Sequence, residues 1–90
     1  MTVFVDPAVW PYRGMIMCHM WADTESEMMA MADRIGVDRK WVQRPPKASW
    51  VHFDISKGKR ALAIAAGAIE TDRFGPLEFI ARRWLSLIHI

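Results

Sequence analysis

His19, Asp23, His52 and Asp54 are the side chains with the chemistry to hold a metal ion or move a proton. Imidazole and carboxylate are ordinary zinc ligands and ordinary general acids and bases near neutral pH. Nothing in their spacing is diagnostic, and the chain has no H-E-x-x-H and no C-x-x-C. A lone histidine in an apolar run such as "MIMCHMWA" (15–22) is more often a hydrogen-bonded core residue. The spacing therefore assigns no metal ligand. If 50–54 is a strand, His52 and Asp54 share a face, since strand side chains alternate. The same rule sets Cys18 opposite His19, which argues against a Cys–His nucleophile pair.

The stretch "WVHFDISKGKR" (50–60) bears on anions instead. Asp54 or Ser56 can cap a helix that starts there. Lys57, Lys59 and Arg60 then fall in its first turn, where the dipole disfavours each cation by a few tenths to about 1 kcal/mol. An anion held by the free N–H groups and basic side chains would reverse that cost. Gly58 would let such a ligand approach the backbone. The plain alternative is that these long side chains reach into water. Neither G-x-x-x-x-G-K-[ST] nor G-x-G-x-x-G occurs, so no standard nucleotide fold is indicated. Trp10, Tyr12, Trp41, Trp50 and Phe53 lie in or beside the basic and loop segments. Aromatic faces stack on bases at about 1–3 kcal/mol per base. In so small a domain at least three of these five are expected to be mainly buried.

These groups need elements to position them. "TVFV" (2–5) reads as a strand closed by Asp6-Pro7. "PAVWPYRG" (7–14) reads as loop, and 15–22 as a buried strand. "DTESEMMAMADRIG" (23–36) is the clearest helix: Thr24 and Glu27 form a capping box, acids fill the first turn, and Gly36 ends it. Met28, Met31, Ala32 and Ile35 make its apolar stripe, which is expected to be core. "RKWVQ" (39–43) and "WVHFDI" (50–55) read as short strands around an irregular "RPPKAS" (44–49). A helix over 56–68 and a last one over 75–84 complete the chain, with Leu77, Ile80, Ala81 and Trp84 as the stripe of the latter.

Ninety residues make one domain, with a core that is marginal at this size unless large side chains or association help. Five Trp, four Phe and seven Met supply such side chains. The single cysteine excludes an internal disulfide and suggests a reducing, cytoplasmic setting. No apolar run approaches the roughly 20 residues needed to span a bilayer, and the N-terminus does not resemble a signal peptide. The net charge of +2 hides an asymmetry: residues 1–38 carry −4, residues 39–60 carry +6, and the rest balances. Such a local excess suits an anionic partner.

The order "MTVFVD", "CHMWAD", "MADRIG", "RKWVQ" and "HFDISKGKRALAIAAGA" resembles a family of short bacterial and phage proteins catalogued only as a domain of unknown function. Its members read "TVYVD", an "SHL"-type histidine, a helix ending in Ile-Gly, "WFQ", then "HYD" followed by "KR" and "AGA". The likeness covers residues 2–68, with Phe53 in place of Tyr and Val42 in place of Phe. It points to His19, Trp41, Gln43, His52, Asp54, Lys59 and Arg60 and implies no established activity. The last six residues, "LSLIHI" (85–90), are similar to translated sequencing-adapter sequence, so His89 is given no functional weight and the domain is taken as 1–84.

The sequence thus leads to a single α+β domain: a three- or four-stranded sheet with two or three packed helices, expected to be homo-oligomeric. The leading functional expectation is a small nucleotide- or phosphate-binding protein with no cofactor, of phage derivation and sequestering a nucleotide immune signal. Trp41, Gln43, His52, Asp54, Ser56, Lys59 and Arg60 would contact the ligand. One alternative is a metal- or His-dependent phosphoesterase using His19, His52 and Asp54, with Mg²⁺ or Mn²⁺ entering only in that case. Another is a nucleic-acid-binding or protein-interaction module using the basic 39–60 face.

Overall fold

Met15–Ala22 (β3) forms the spine of the sheet, flanked on both edges. The computed structural model describes residues 2–88, so the sequence expectation about His89 lies outside the described residues. Val3–Val5 (β1) and Trp10–Tyr12 (β2) pair in succession, antiparallel, along one edge of β3. Phe53–Ser56 (β4) pairs antiparallel along the other. Ile69–Glu70 (β5) adds to β1 in parallel and makes the sheet five-stranded. Three helices complete the α+β fold: Glu25–Ile35 (α1), Lys57–Ala65 (α2) and Gly75–Ile88 (α3).

Alternation along the strands sorts side chains onto two faces. Val3, Val5, Cys18, Met20, Ala22, Phe53 and Ile55 meet Met28, Met31, Ala32 and Ile35 of α1 and Ala63 of α2 in one buried core. The expected stripe on α1 is therefore the core stripe. Half of its expected capping box forms: the Glu27 N–H donates to Thr24 Oγ1, but the Glu27 carboxylate accepts from the Thr24 hydroxyl and the Thr2 N–H instead of the Thr24 N–H. Gly36 closes the helix in the left-handed region, at φ 78°. The second face carries Phe4, His19, Trp21 and Asp54. Phe79 of α3 lies against Trp21 on this side, with ring centroids 6.3 Å apart. Among the described residues, no helix is long and apolar enough to cross a membrane.

Several local expectations are corrected. Residues 10–12 are a strand, not loop. Pro11 is tolerated because β2 is an edge strand, and Arg13 and Gly14 (φ 49° and 78°) form the tight turn into β3. "RKWVQ" is not a strand: Asp38 accepts from the Lys40 N–H and starts a single 3₁₀ turn over Arg39–Trp41. Only Gln43 of this segment pairs, in an isolated bridge with His52. The two-residue β5 carries too little pattern to be read beforehand. On α3, Leu77, Ala81 and Trp84 are exposed and Phe79 makes the sheet contact. Of the five aromatics near the basic segment, Phe53 alone is fully buried. Trp10 and Trp50 are half-buried, and Tyr12 and Trp41 are exposed.

Candidate functional site

His19, at the middle of β3, sits opposite Asp54 of β4 in register. His52 follows on the same face as Asp54, as the alternation requires. One donor atom from each of His19, His52 and Asp54 lies within 4.8 Å of the others. Among the described residues this is the one such cluster of three or more His, Cys, Asp or Glu groups.

Each imidazole is oriented by its other nitrogen. Four residues of the 3–12 segment (Asp6 to Val9) oppose two of β3 (Cys18 and His19) between the pairs Val5–Met20 and Trp10–Met17. This bulge turns Asp6 back onto β3. The Asp6 carboxylate accepts from the His19 backbone N–H at 2.6 Å and from His19 Nδ1 at 2.7 Å. A carboxylate can only accept here, so Nδ1 carries the proton and the Nε2 lone pair of neutral His19 is free. His52 Nδ1 donates to the Trp50 carbonyl at 3.0 Å, so in the neutral ring Nε2 is the nitrogen with the lone pair. That Nε2 lies 3.2 Å from Asp54 Oδ1. The backbone of His52 is held by both bridge hydrogen bonds to Gln43, at 2.8 and 3.1 Å.

The cluster is walled by aromatic rings. Trp10 lies 4.5 Å from the His19 ring, and Trp50 stacks on His52 at 4.3 Å and 18°. Asp6 and His52 are nearly fully buried, with side-chain exposures of 7% and 8%, while His19 and Asp54 keep 30% and 37%. Trp50 also borders a groove of about 340 Å³ whose lining includes Thr24, Pro45, Phe79, Arg83 and Trp84. Buried Cys18 points away from the cluster into the core. Desolvation, followed by the Asp6 charge, pushes its thiol up to about 12.

The basic residues are placed differently from the sequence expectation. Ser56 caps α2, accepting from the Lys59 N–H at 3.3 Å, and so fulfils the capping role. Lys59 Nζ donates to the Ile35 carbonyl at the end of α1, at 2.9 Å. Arg60 Nε donates to the Asp6 carbonyl at 2.8 Å, and its Nη2 reaches Glu70 at 3.1 Å. The long stems thus carry both charges away from the helix N-terminus onto carbonyls and a carboxylate. Trp41 stands exposed with Lys40 over its ring, outside the aromatic wall of the cluster. Asp23 is exposed, and its carbonyl accepts from Arg83. Asp6 was missed as a site residue. Its place after a strand and before Pro7 reads as a turn, and its role depends on a bulge that no local pattern announces.

The cluster can accept or donate protons and can ligate a cation through two imidazole nitrogens and a carboxylate. No curated protein matches the chain, and no solved structure does. Residues 3–83 match the model of the family described as protein of unknown function DUF4031, and the chain belongs to that family.

Proposed function

We propose that the second face of the sheet binds a nucleotide, with its phosphate over His19, His52 and Asp54 and its base against Trp50. The observation that carries this reading is the shared wall: Trp50 stacks on His52 and also lines the adjoining groove. The groove volume is at the lower end of the range for small-molecule sites, and its apolar, aromatic lining with a few polar groups is their usual chemistry. Stacking there would contribute about 1–3 kcal/mol. Stoichiometric capture of a nucleotide signal, as a phage-derived binder would perform, is the form of the proposal that needs no turnover.

A second reading, hydrolysis of the same ligand, draws on the Asp6–His19 pair. A buried carboxylate that holds an imidazole through Nδ1 is the arrangement that orients a general base in hydrolytic sites. The macromolecular reading of the 39–60 face has less support. Lys59 and Arg60 are engaged internally, and Arg39 and Arg44 are paired with Asp33 and Glu25. We retain a homo-oligomer in the proposal, supported by the exposed Leu77, Trp84 and Leu85 of α3, and light scattering checks it.

The test incubates the purified chain with mono-, di- and cyclic nucleotides and ADP-ribose derivatives, with and without Mn²⁺. Chromatography follows, before and after heat denaturation. Depletion with intact return on denaturation is the expected result for a binder, and new products that vanish in His19→Ala identify a hydrolase. No depletion of any compound overturns both.

A further inference from the structure

We infer that His19 Nε2, His52 Nε2 and the Asp54 carboxylate form a binding site for a divalent transition-metal ion, with Asp6 and the Trp50 carbonyl as its outer shell. Three independent observations carry it. First, both imidazoles are held in the tautomer that ligation needs. Their Nδ1 protons are committed to Asp6 and to the Trp50 carbonyl, leaving two Nε2 lone pairs on one face. Carboxylate and carbonyl partners of this kind are the usual second shell of ligating histidines. Second, the three side chains stand on one face of the sheet, with one candidate ligand atom from each within 4.8 Å of the others. Third, metal–ligand bonds of about 2.0–2.2 Å put neighbouring ligand atoms roughly 3–3.5 Å apart. The His52 Nε2–Asp54 Oδ1 distance of 3.2 Å already has that value.

The donor set selects the class of ion. Two imidazoles and one carboxylate suit Zn²⁺, Mn²⁺, Fe²⁺ or Co²⁺, whereas Mg²⁺ and Ca²⁺ prefer oxygen throughout. Three protein ligands leave open positions, as catalytic rather than structural sites do. The half-exposed His19 and Asp54 face that opening. This inference also answers a difficulty in the nucleotide reading, on which the ion's role as phosphate partner rests. With Lys59 and Arg60 turned to internal acceptors, a phosphate at the cluster would meet Asp54 and Asp6. A bound dication supplies the missing positive charge. Binding of the ion itself does not depend on that reading.

The experiment strips the purified full chain with chelator and titrates it with Co²⁺ and Zn²⁺ by calorimetry and by visible absorption of the Co²⁺ form. The expected result is one ion per chain, ligand-field bands in the Co²⁺ form, and no competition from excess Mg²⁺ or Ca²⁺. Asp54→Asn alters a half-exposed residue and should keep the apo far-UV spectrum, whereas His19→Ala also strips the buried Asp6 carboxylate of its Nδ1–H donor. Each should weaken binding by at least the 10–100-fold that loss of an outer-shell partner causes. His52→Ala should do the same but is buried, so Asp54→Asn decides if it fails to fold. Stoichiometric binding that persists in both exposed variants, or no one-to-one binding in the parent chain, overturns the site. Metal binding without depletion of any nucleotide would sink the nucleotide reading alone. Nucleotide depletion by chelated protein with no metal uptake would sink the metal site alone.

Discussion

Lys59→Met separates a structural lysine from a ligand-binding one. Lys59 Nζ donates to the carbonyl of Ile35, the last residue of α1, at 2.9 Å. That carbonyl is one of the orphan acceptors at a helix C-terminus, and the helix dipole favours a cation there. A hydrogen bond from a charged donor is worth about 1.5–3 kcal/mol, and the dipole adds a few tenths. Methionine keeps the apolar stem but cannot donate, so about 2 kcal/mol should be lost. For a domain of this size each kcal/mol moves the melting temperature by about 4–8 °C. The variant should therefore melt roughly 8–16 °C lower, read by far-UV circular dichroism or calorimetry of the apo protein. Metal or nucleotide affinity, measured well below the transition, should change little. An unchanged melting temperature with a large loss of affinity would refute the reasoning and return Lys59 to the phosphate.

Other outcomes follow from the same structure. Gly36→Ala should destabilise by about 1–2 kcal/mol, since φ is 78° and the new Cβ would stand 3.2 Å from Lys59 Nζ; thermal melts check it. Cys18 should resist alkylation at pH 8 in the folded protein and react on unfolding in denaturant, because its thiol is buried and pushed up to about 12. The folded state keeps that proton, so stability should decline as pH rises from 9.0 towards about 12, and Cys18→Ser should flatten this limb of the stability curve. The Thr2 N–H and the Thr24 hydroxyl hold the Glu27 carboxyl below its usual value, so its contribution is present above about pH 4.5 and fades as pH falls through the lowered value. Glu27→Gln should shrink that acid-side loss in a pH series of urea melts.

Elements with local causes were legible in the chain. The Thr24 cap, the α1 stripe, the Gly36 stop and the choice of Ser56 or Asp54 as a cap for α2 all rest on contacts within a few residues. The pairing of His52 and Asp54 on one face followed from strand alternation alone. The opposite placement of Cys18 and His19 followed in the same way. The features that were not legible have causes at long range. Lys59 finds its carbonyl 24 residues away and Arg60 finds Asp6 at a separation of 54, so a basic first turn that read as an anion site became a pair of internal ties. Asp6 reaches His19 because a bulge lets four residues oppose two, and the size of a bulge depends on the register of both strands. The meeting of His19 with His52 needed β3 and β4 to pair at one particular offset. A single residue of slip would have turned the Asp54 side chain into the core. Side-chain type and spacing write the short-range terms into the chain, but the partner of a long, flexible charge is chosen by whichever acceptors the fold brings within its reach.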